Sequence, residues 1–514
     1  MTSLADKSTK DRRTARLLAG DSLGASIVIL VGLSGLQRMV GLIRNVLFCG
    51  LLSDDQLGRW SISFSFLTLA APLAVLGLPG SFGRYVEHYR QRGQLRAFLR
   101  RTSIWSAIAT CLAAGLLVSQ SRGIAVLLYD DPSRFQSVRI LGLALMTCIA
   151  FNFLIELLTA LRLVRTVATM QLVMSLVFAG VGFGLLYTTG LDEKAVMIAF
   201  GVASLAASVW GLTVAMQLYR ALPGAETLLT HHDLISKLLP FAAWIWVVNL
   251  VANLFAVSDQ FMLRHFSGLS QIATDSLLGQ YYCSRVVPIL LVGVAALMAS
   301  SLLPHLTRDW EAGRRRAVTQ RMNLAMKLAA VGFTGLGALV LIGAPLLFHW
   351  LLRGKYDTGM AVLPGTLTYC IWFSMFSIAY NYLLCVERAR LGSVALLLGL
   401  LSNVSLNYVL APRFGLPGVV MATALSNGLS LGCLYVFGKR LGMRWDRGVW
   451  LATTLPLTLL LGGWPSLAIL GIVLAAGWQP RWVFGGRETR QASGLMRRYN
   501  EKLAQMLMRQ PARG

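Results

Sequence analysis

Apolar runs of about twenty residues recur along the chain, separated by short polar loops. A bilayer core of ~30 Å is crossed by about 20 residues of helix. In lipid, every backbone amide must be satisfied within its own segment. The pattern therefore predicts a set of membrane-crossing helices. The runs lie near 22–48, 60–82, 103–128, 139–161, 167–188 and 195–218, then 239–263, 277–303, 324–351, 361–385, 391–411 and 417–437. A last apolar block, 449–478, is interrupted by Gly462-Gly463-Trp464-Pro465. Only 13% of residues are charged and 56% are hydrophobic, against roughly 25% charged in soluble domains. That shortfall excludes an ordinary soluble enzyme, a disordered regulator and a fibrous protein.

The net charge of +25 could indicate nucleic acid or an anionic surface, and its distribution decides between them. Lys and Arg gather in cytoplasmic loops. With the basic N-terminus inside and alternating spans, inside segments hold 35 of the 47 Lys and Arg. Outside loops hold nine: Arg59, Arg122, Arg134, Arg139, Lys194, Arg264, Arg353, Lys355 and Arg413. Arg38, Arg44 and Arg285 stay within spans. The charge is thus a topology signal, and no nucleic-acid partner is expected. The basic tail is cytoplasmic only for an even number of crossings, so 449–478 is predicted to cross twice, making fourteen helices. Twelve spans with a re-entrant hairpin would keep the same sidedness. The seven cysteines are scattered through apolar runs without metal-ligand spacing and read as buried thiols. The first apolar run is too long for a cleavable signal and reads as the first span.

Leu57-Gly58-Arg59-Trp60-Ser61 in the second span is similar to Leu278-Gly279-Gln280-Tyr281-Tyr282 in the eighth. Each of these two spans ends in a basic loop, Arg90-Gln91-Arg92-Gly93 and Gly313-Arg314-Arg315-Arg316. The offset of about 221 residues predicts a six-helix unit used twice in the same orientation, about an axis along the membrane normal. The expected organisation is a basic N-terminus (1–21), an N-lobe (22–219) and a cytoplasmic linker (220–237), followed by a C-lobe (238–438), a helix pair (439–478) and a basic cytoplasmic tail (479–514). The fold class is an all-α polytopic membrane protein with two six-helix lobes and a C-terminal helix pair.

The runs Leu352-Arg353-Gly354-Lys355-Tyr356 and Val386-Glu387-Arg388-Ala389-Arg390 carry a resemblance to a known family. So do Asn403, Asn407 and the stretch Phe414-Gly415-Leu416-Pro417-Gly418-Val419 … Ala422-Thr423-Ala424-Leu425-Ser426. The chain resembles the bacterial polysaccharide flippases, the O-antigen and exopolysaccharide translocases of the multidrug/oligosaccharidyl-lipid/polysaccharide exporter superfamily. The resemblance spans roughly 20–440. It implies alternating access and a lipid diphosphate-linked oligosaccharide carried from the cytoplasmic to the outer leaflet of the bacterial inner membrane. It also implies membrane lipids, a polysaccharide polymerase and glycosyltransferases as partners.

Ionisable residues inside a membrane usually face a cavity or a partner. Here they are Arg38 and Arg44 on the first span, Glu156 on the fourth, Asp259 on the seventh and Arg285 on the eighth. Guanidinium stays charged and binds phosphate bidentately, so Arg38, Arg44 and Arg285 are candidates for the diphosphate. Mutual pairing or snorkelling to the interface is the structural alternative. Asp259 is a candidate for coupling or gating, with H+ or Na+ as the coupling ion, or for a bridge between spans; Glu156 reads as structural. Asn45 shares a helix face with Arg38. Asn249, Asn253 and Gln260 form a polar stripe for sugar hydroxyls. Tyr281 and Tyr282 are placed to stack on sugar rings or to anchor at the interface. Ser374, Ser377 and Asn381, and Asn403 with Asn407, read as sugar contacts or as helix glue. Nucleotide, zinc-protease and nucleophile-elbow motifs are missing, so no cofactor and no catalytic activity are expected. A lipid II flippase is the neighbouring alternative, a multidrug/cation antiporter the next, and an integral-membrane glycan polymerase or glycosyltransferase the alternative from a different class.

Overall fold

The computed structural model describes residues 23–190, 192–222 and 231–478. The predicted N-terminal segment 1–21, the middle of the predicted linker and the tail 479–514 lie outside the described residues. Within them the chain is helical, with no strand. The helices are α1 (Leu23–Leu51), α2 (Asp54–Ala74), α3 (Phe82–Gln91), α4 (Leu95–Ser119), α5 (Ser121–Tyr129), α6 (Phe135–Ala160), α7 (Val164–Thr189) and α8 (Asp192–Ala221). There follow α9 (His231–Phe266), α10 (Gln271–Arg285), α11 (Pro288–Glu311), α12 (Arg315–Pro345), α13 (Asp357–Cys385), α14 (Ala389–Arg440), α15 (Arg447–Thr454) and α16 (Gly463–Trp478).

Among the described residues nine helices are long and apolar enough to cross a membrane. A tenth is obtained if α2 and the segment Pro79–Gln91, bent by 62°, make one span. On α4, Ile104, Ile108, Leu112 and Leu116 recur at i, i+4 spacing and are 50% to 69% exposed. A continuous apolar face left open to this degree is a surface for lipid rather than water.

Local chemistry sets the breaks. Ser53 and Gln56 close a reciprocal capping box at the start of α2, with the Gln56 side chain accepting the Ser53 amide at 3.0 Å. Such a box satisfies two otherwise unpaired donors. At its other end the chain turns through Leu76 and Gly77, both at positive φ. A Cβ on Gly77 would overlap the Ala242 carbonyl of α9, so this turn needs glycine for both conformation and space. The predicted run 277–303 is interrupted rather than continuous. α10 ends at Arg285 and α11 starts with Pro288, a residue suited to a first turn because it lacks an amide proton. The predicted eleventh and twelfth runs lie on either side of a kink within α14, where Gly415, at φ 58°, ψ −133° between Pro412 and Pro417, breaks the helix. The predicted linker is partly helical, since α9 begins at His231. The block 449–478 becomes α15, a 3-10 segment Leu455–Leu461 and α16, separated at Gly462.

The chain divides into two compact units. The first runs to Val286 and takes in Leu351–Gly359 and Leu400–Val419. Part of its core is aromatic, with Tyr89 stacked on Phe98 at 4.8 Å and Phe82 edge-on to Phe153 at 5.2 Å. The second comprises Val287–Trp350, Met360–Gly399 and the chain from Val420 on. In it Lys327, 2% exposed at its side chain, pairs with Asp446 at 2.5 Å. Asp446 also caps α15 through the Val449 amide at 2.9 Å, and the Trp372 indole donates to the Thr453 carbonyl at 2.9 Å.

Candidate functional site

Four polar groupings occur within the first unit. The first centres on Asp259, 3% exposed on α9. Its Oδ2 accepts the Tyr281 hydroxyl of α10 at 2.7 Å, and its Oδ1 accepts the amides of Asn403 and Asn407 at 3.0 Å each. The two asparagines lie one turn apart on α14, so both amides reach the same oxygen. Ser258 donates to Asn403 Oδ1 at 2.7 Å. The carboxylate therefore has three uncharged donors and, among the described residues, no ion pair. Asn407 Oδ1 is buried without a hydrogen-bond partner. Next to this knot, Gln260 is buried and accepts the Ser65 hydroxyl at 2.7 Å. The predicted stripe of Asn249, Asn253 and Gln260 is thus divided between two surroundings. Tyr281 is fully buried, with its hydroxyl on Asp259.

The arginines form the second grouping. Arg44 lies half-buried on α1, its guanidinium carbon 4.1 Å from the Phe178 ring centroid. Its Nε and Nη2 donate to Asn45 Oδ1 at 3.2 and 3.1 Å. No carboxylate pairs with Arg44 among the described residues. Arg38, six residues earlier, is also half-buried, and its Nε has no hydrogen-bond partner among the described residues. Arg285 ends α10, where a cation suits the helix dipole, and lies 5.2 Å from the Tyr281 ring centroid. The Asn381 amide is spent on the Ala299 carbonyl, and Ser374 and Ser377 on carbonyls of their own helix.

The third grouping lines a cavity of about 420 Å³ between α2, α6, α7, α8 and α9. Its polar groups are Glu156 and Asn152 of α6, Asn249 and Asn253 of α9, and Thr68 of α2. Its rings are Phe64, Phe151, Phe153 and Phe200. Glu156, read from sequence as structural, faces this space with no ion pair or hydrogen bond among the described residues. Rings connect the cavity to Arg44: Phe178 packs on Phe200 at 5.5 Å, and Phe200 edge-on to Phe64 at 5.6 Å. Arg38, Arg44 and Arg285 do not line it.

A charged knot was not foreseen from sequence, where Arg59 and Arg264 counted as loop residues. Arg59, 7% exposed, reaches Asp55 at 2.6 Å, Glu193 at 3.2 Å and Asp275 at 3.4 Å. Arg264 pairs with Asp275, and Arg134 reaches Glu193 and Asp131 at 3.3 Å each. Hydrogen bonds from Ser133 hold the Asp131 carboxyl below the usual range. The signal lay in the 221-residue repeat. A Cβ on Gly58 would overlap the Asp275 carbonyl, and one on Gly279 the Asp54 carbonyl. The two repeat positions exchange the same contact, as an isologous interface does. Nearby, the Tyr356 hydroxyl donates to the Cys49 carbonyl at 2.9 Å, and burial pushes its phenol up.

The apolar helices define a multi-pass helical membrane protein, and its fold is similar to those of several solved transporters. The lipid II flippase MurJ in an inward closed conformation superposes with a TM-score of 0.68 at 13% identity, over 88% of this chain and 99% of that one. An inward-facing multidrug resistance transporter of the MOP superfamily gives 0.62 at 13% identity, over 79% and 94%. A MOP-superfamily transporter from Pyrococcus furiosus gives 0.58 at 13%, over 85% and 95%. At such identities the likeness is one of fold. Residues 23–310 match the family described as polysaccharide biosynthesis protein, and the chain belongs to that family. An uncharacterized membrane protein of Methanocaldococcus jannaschii, MJ1068, is 20% identical over 200 residues, a match spanning 38% of each chain.

Proposed function

We propose that this protein is a flippase that turns a lipid diphosphate-linked oligosaccharide, a polysaccharide repeat unit, from the cytoplasmic to the outer leaflet by alternating access. In this reading it lies in the bacterial inner membrane with both termini cytoplasmic. It has fourteen spans, two six-helix lobes over 22–219 and 238–438, and a C-terminal pair from the block 449–478. It works beside a polymerase and glycosyltransferases. The observation that carries the reading is Arg44. A guanidinium that cannot be neutralised is held in an apolar bundle by Asn45 and the Phe178 face, with no acid partner among the described residues, which suits an anionic headgroup. Arg38 and Arg285 are the further arginines assigned to the diphosphate. Asp259 is assigned to the coupling ion, H+ or Na+. The absence of an ion pair among the described residues and the unbonded Asn407 Oδ1 support a cation there.

The test is translocation of a fluorescent polyprenyl diphosphate glycan by the purified protein in liposomes. Arg44→Ala and Arg285→Ala are expected to abolish it while leaving membrane insertion and folding intact. In cells, lipid-linked glycan should accumulate on the cytoplasmic leaflet. Normal surface polysaccharide in either variant would sink the assignment of that arginine. The fold shared with a lipid II flippase favours one second reading, in which the diphosphate carries a peptidoglycan precursor. Turnover of that donor and not of an oligosaccharide would establish it.

A further inference from the structure

The cavity around Glu156 has a chemistry opposite to that of the arginines. Among the described residues its lining contains one carboxylate and neither lysine, arginine nor histidine. Its donors are partly spent: Asn253 Nδ2 donates to the Asn249 carbonyl at 2.8 Å and Thr68 Oγ1 to the Phe64 carbonyl at 2.9 Å. What remains comprises both Glu156 oxygens, the side-chain oxygens of Asn152, Asn249 and Asn253, and the Asn249 amide as a donor, so acceptors outnumber donors. A ligand that satisfies them brings hydroxyl or ammonium protons. An anionic ligand meets the Glu156 carboxylate, which is exposed to the cavity, and like charges at short range repel.

Four phenylalanines supply the rest of the wall. Rings of this kind cover the apolar C–H face of a pyranose while its edge hydroxyls reach polar groups. A volume of about 420 Å³ falls within the roughly 300–1,000 Å³ of small-molecule sites and suits a short glycan rather than the polyprenyl chain. Arg44 rests on Phe178, and Phe178 on Phe200, a cavity ring. One aromatic wall therefore has a cation on one side and an acid-lined cavity on the other.

We propose that this cavity is the glycan subsite of the flippase, and that Glu156 selects sugars presenting hydroxyl or ammonium groups against uronic acids. The proposal rests on the flippase reading above and adds a specificity to it. Discrimination comes from the charge at Glu156, and binding from the amides and rings around it.

The test uses the full-length protein in liposomes and three polyprenyl diphosphate probes differing in one sugar: a hexosamine with a free ammonium, its N-acetyl form and the corresponding hexuronic acid. The wild type is expected to move the ammonium probe about tenfold faster than the uronate, the scale of a hydrogen bond to a charged group. Glu156→Gln should bring the two rates close together, and Glu156→Lys should reverse their order. Asn253→Asp, which adds a second acid, should widen the gap. Thermal unfolding in detergent checks that each variant folds. Equal wild-type rates for the three probes, or a rate ratio untouched by the Glu156 substitutions, would overturn the subsite while the flippase reading stands. No movement of any probe by folded wild-type protein would overturn both.

Discussion

Asp259 shows how far a single residue can be read. An acid in an apolar run has to meet a partner or a cavity, and that much was legible. Its partners were not, because they come from α10 and α14, 22 and up to 148 positions away. Tyr281 was read as stacking on sugar rings or anchoring at the interface, and its hydroxyl donates to this carboxylate. Tyr281→Phe keeps the ring and removes one donor. Interhelical hydrogen bonds in membranes contribute ~0.6–1.7 kcal/mol, and denaturant unfolding in micelles should register a loss of that order. An unchanged stability would mean that the bond contributes nothing. Glu156 was passed over for the complementary reason. A lone acid on a helix carries no sign of which face opens onto a cavity, and only the packing of α2, α6 and α9 makes that opening.

At the scale of elements, the crossing of α2 and α10 has a specific expectation. Gly58→Ala and Gly279→Ala each place a methyl on the opposing backbone. Overpacking costs ~1–3 kcal/mol. Both substitutions probe the same contact, so the double variant should lose less than the sum of the singles, by more than about 0.5 kcal/mol. Strict additivity in micelle unfolding would show that the two glycines act independently. The apolar runs located most of the helices, since length and composition suffice for a span. Their breaks depended on finer chemistry. Pro288 splits the eighth run, and Gly415, between Pro412 and Pro417, kinks the chain between the eleventh and twelfth. Proline marks a place where a helix can bend, and neighbouring packing decides how much of the helix survives.

For the whole molecule, charge makes a topological prediction. In a background with the seven native cysteines replaced, cysteines at the exposed Arg122 and Arg413 should react with a membrane-impermeant maleimide in intact cells. Cysteines at Arg92 and Arg314, also exposed, and at Arg490 in the tail should react only after permeabilisation. Labelling of Arg490→Cys from outside would mean an odd number of crossings and remove the proposed pair at 449–478. The sequence by itself determined that this is a helical membrane protein and roughly where its helices run, and it pointed to Asp259 as an acid inside the bundle. These follow from properties summed along one segment: apolar length, charge and register. Only the tertiary structure decided that Asp259 meets Asn403 and Asn407, that Arg59 sits in a buried knot, and that Glu156 opens onto a cavity. Those outcomes depend on which helix faces pack together, and a segment's own composition does not encode its neighbour.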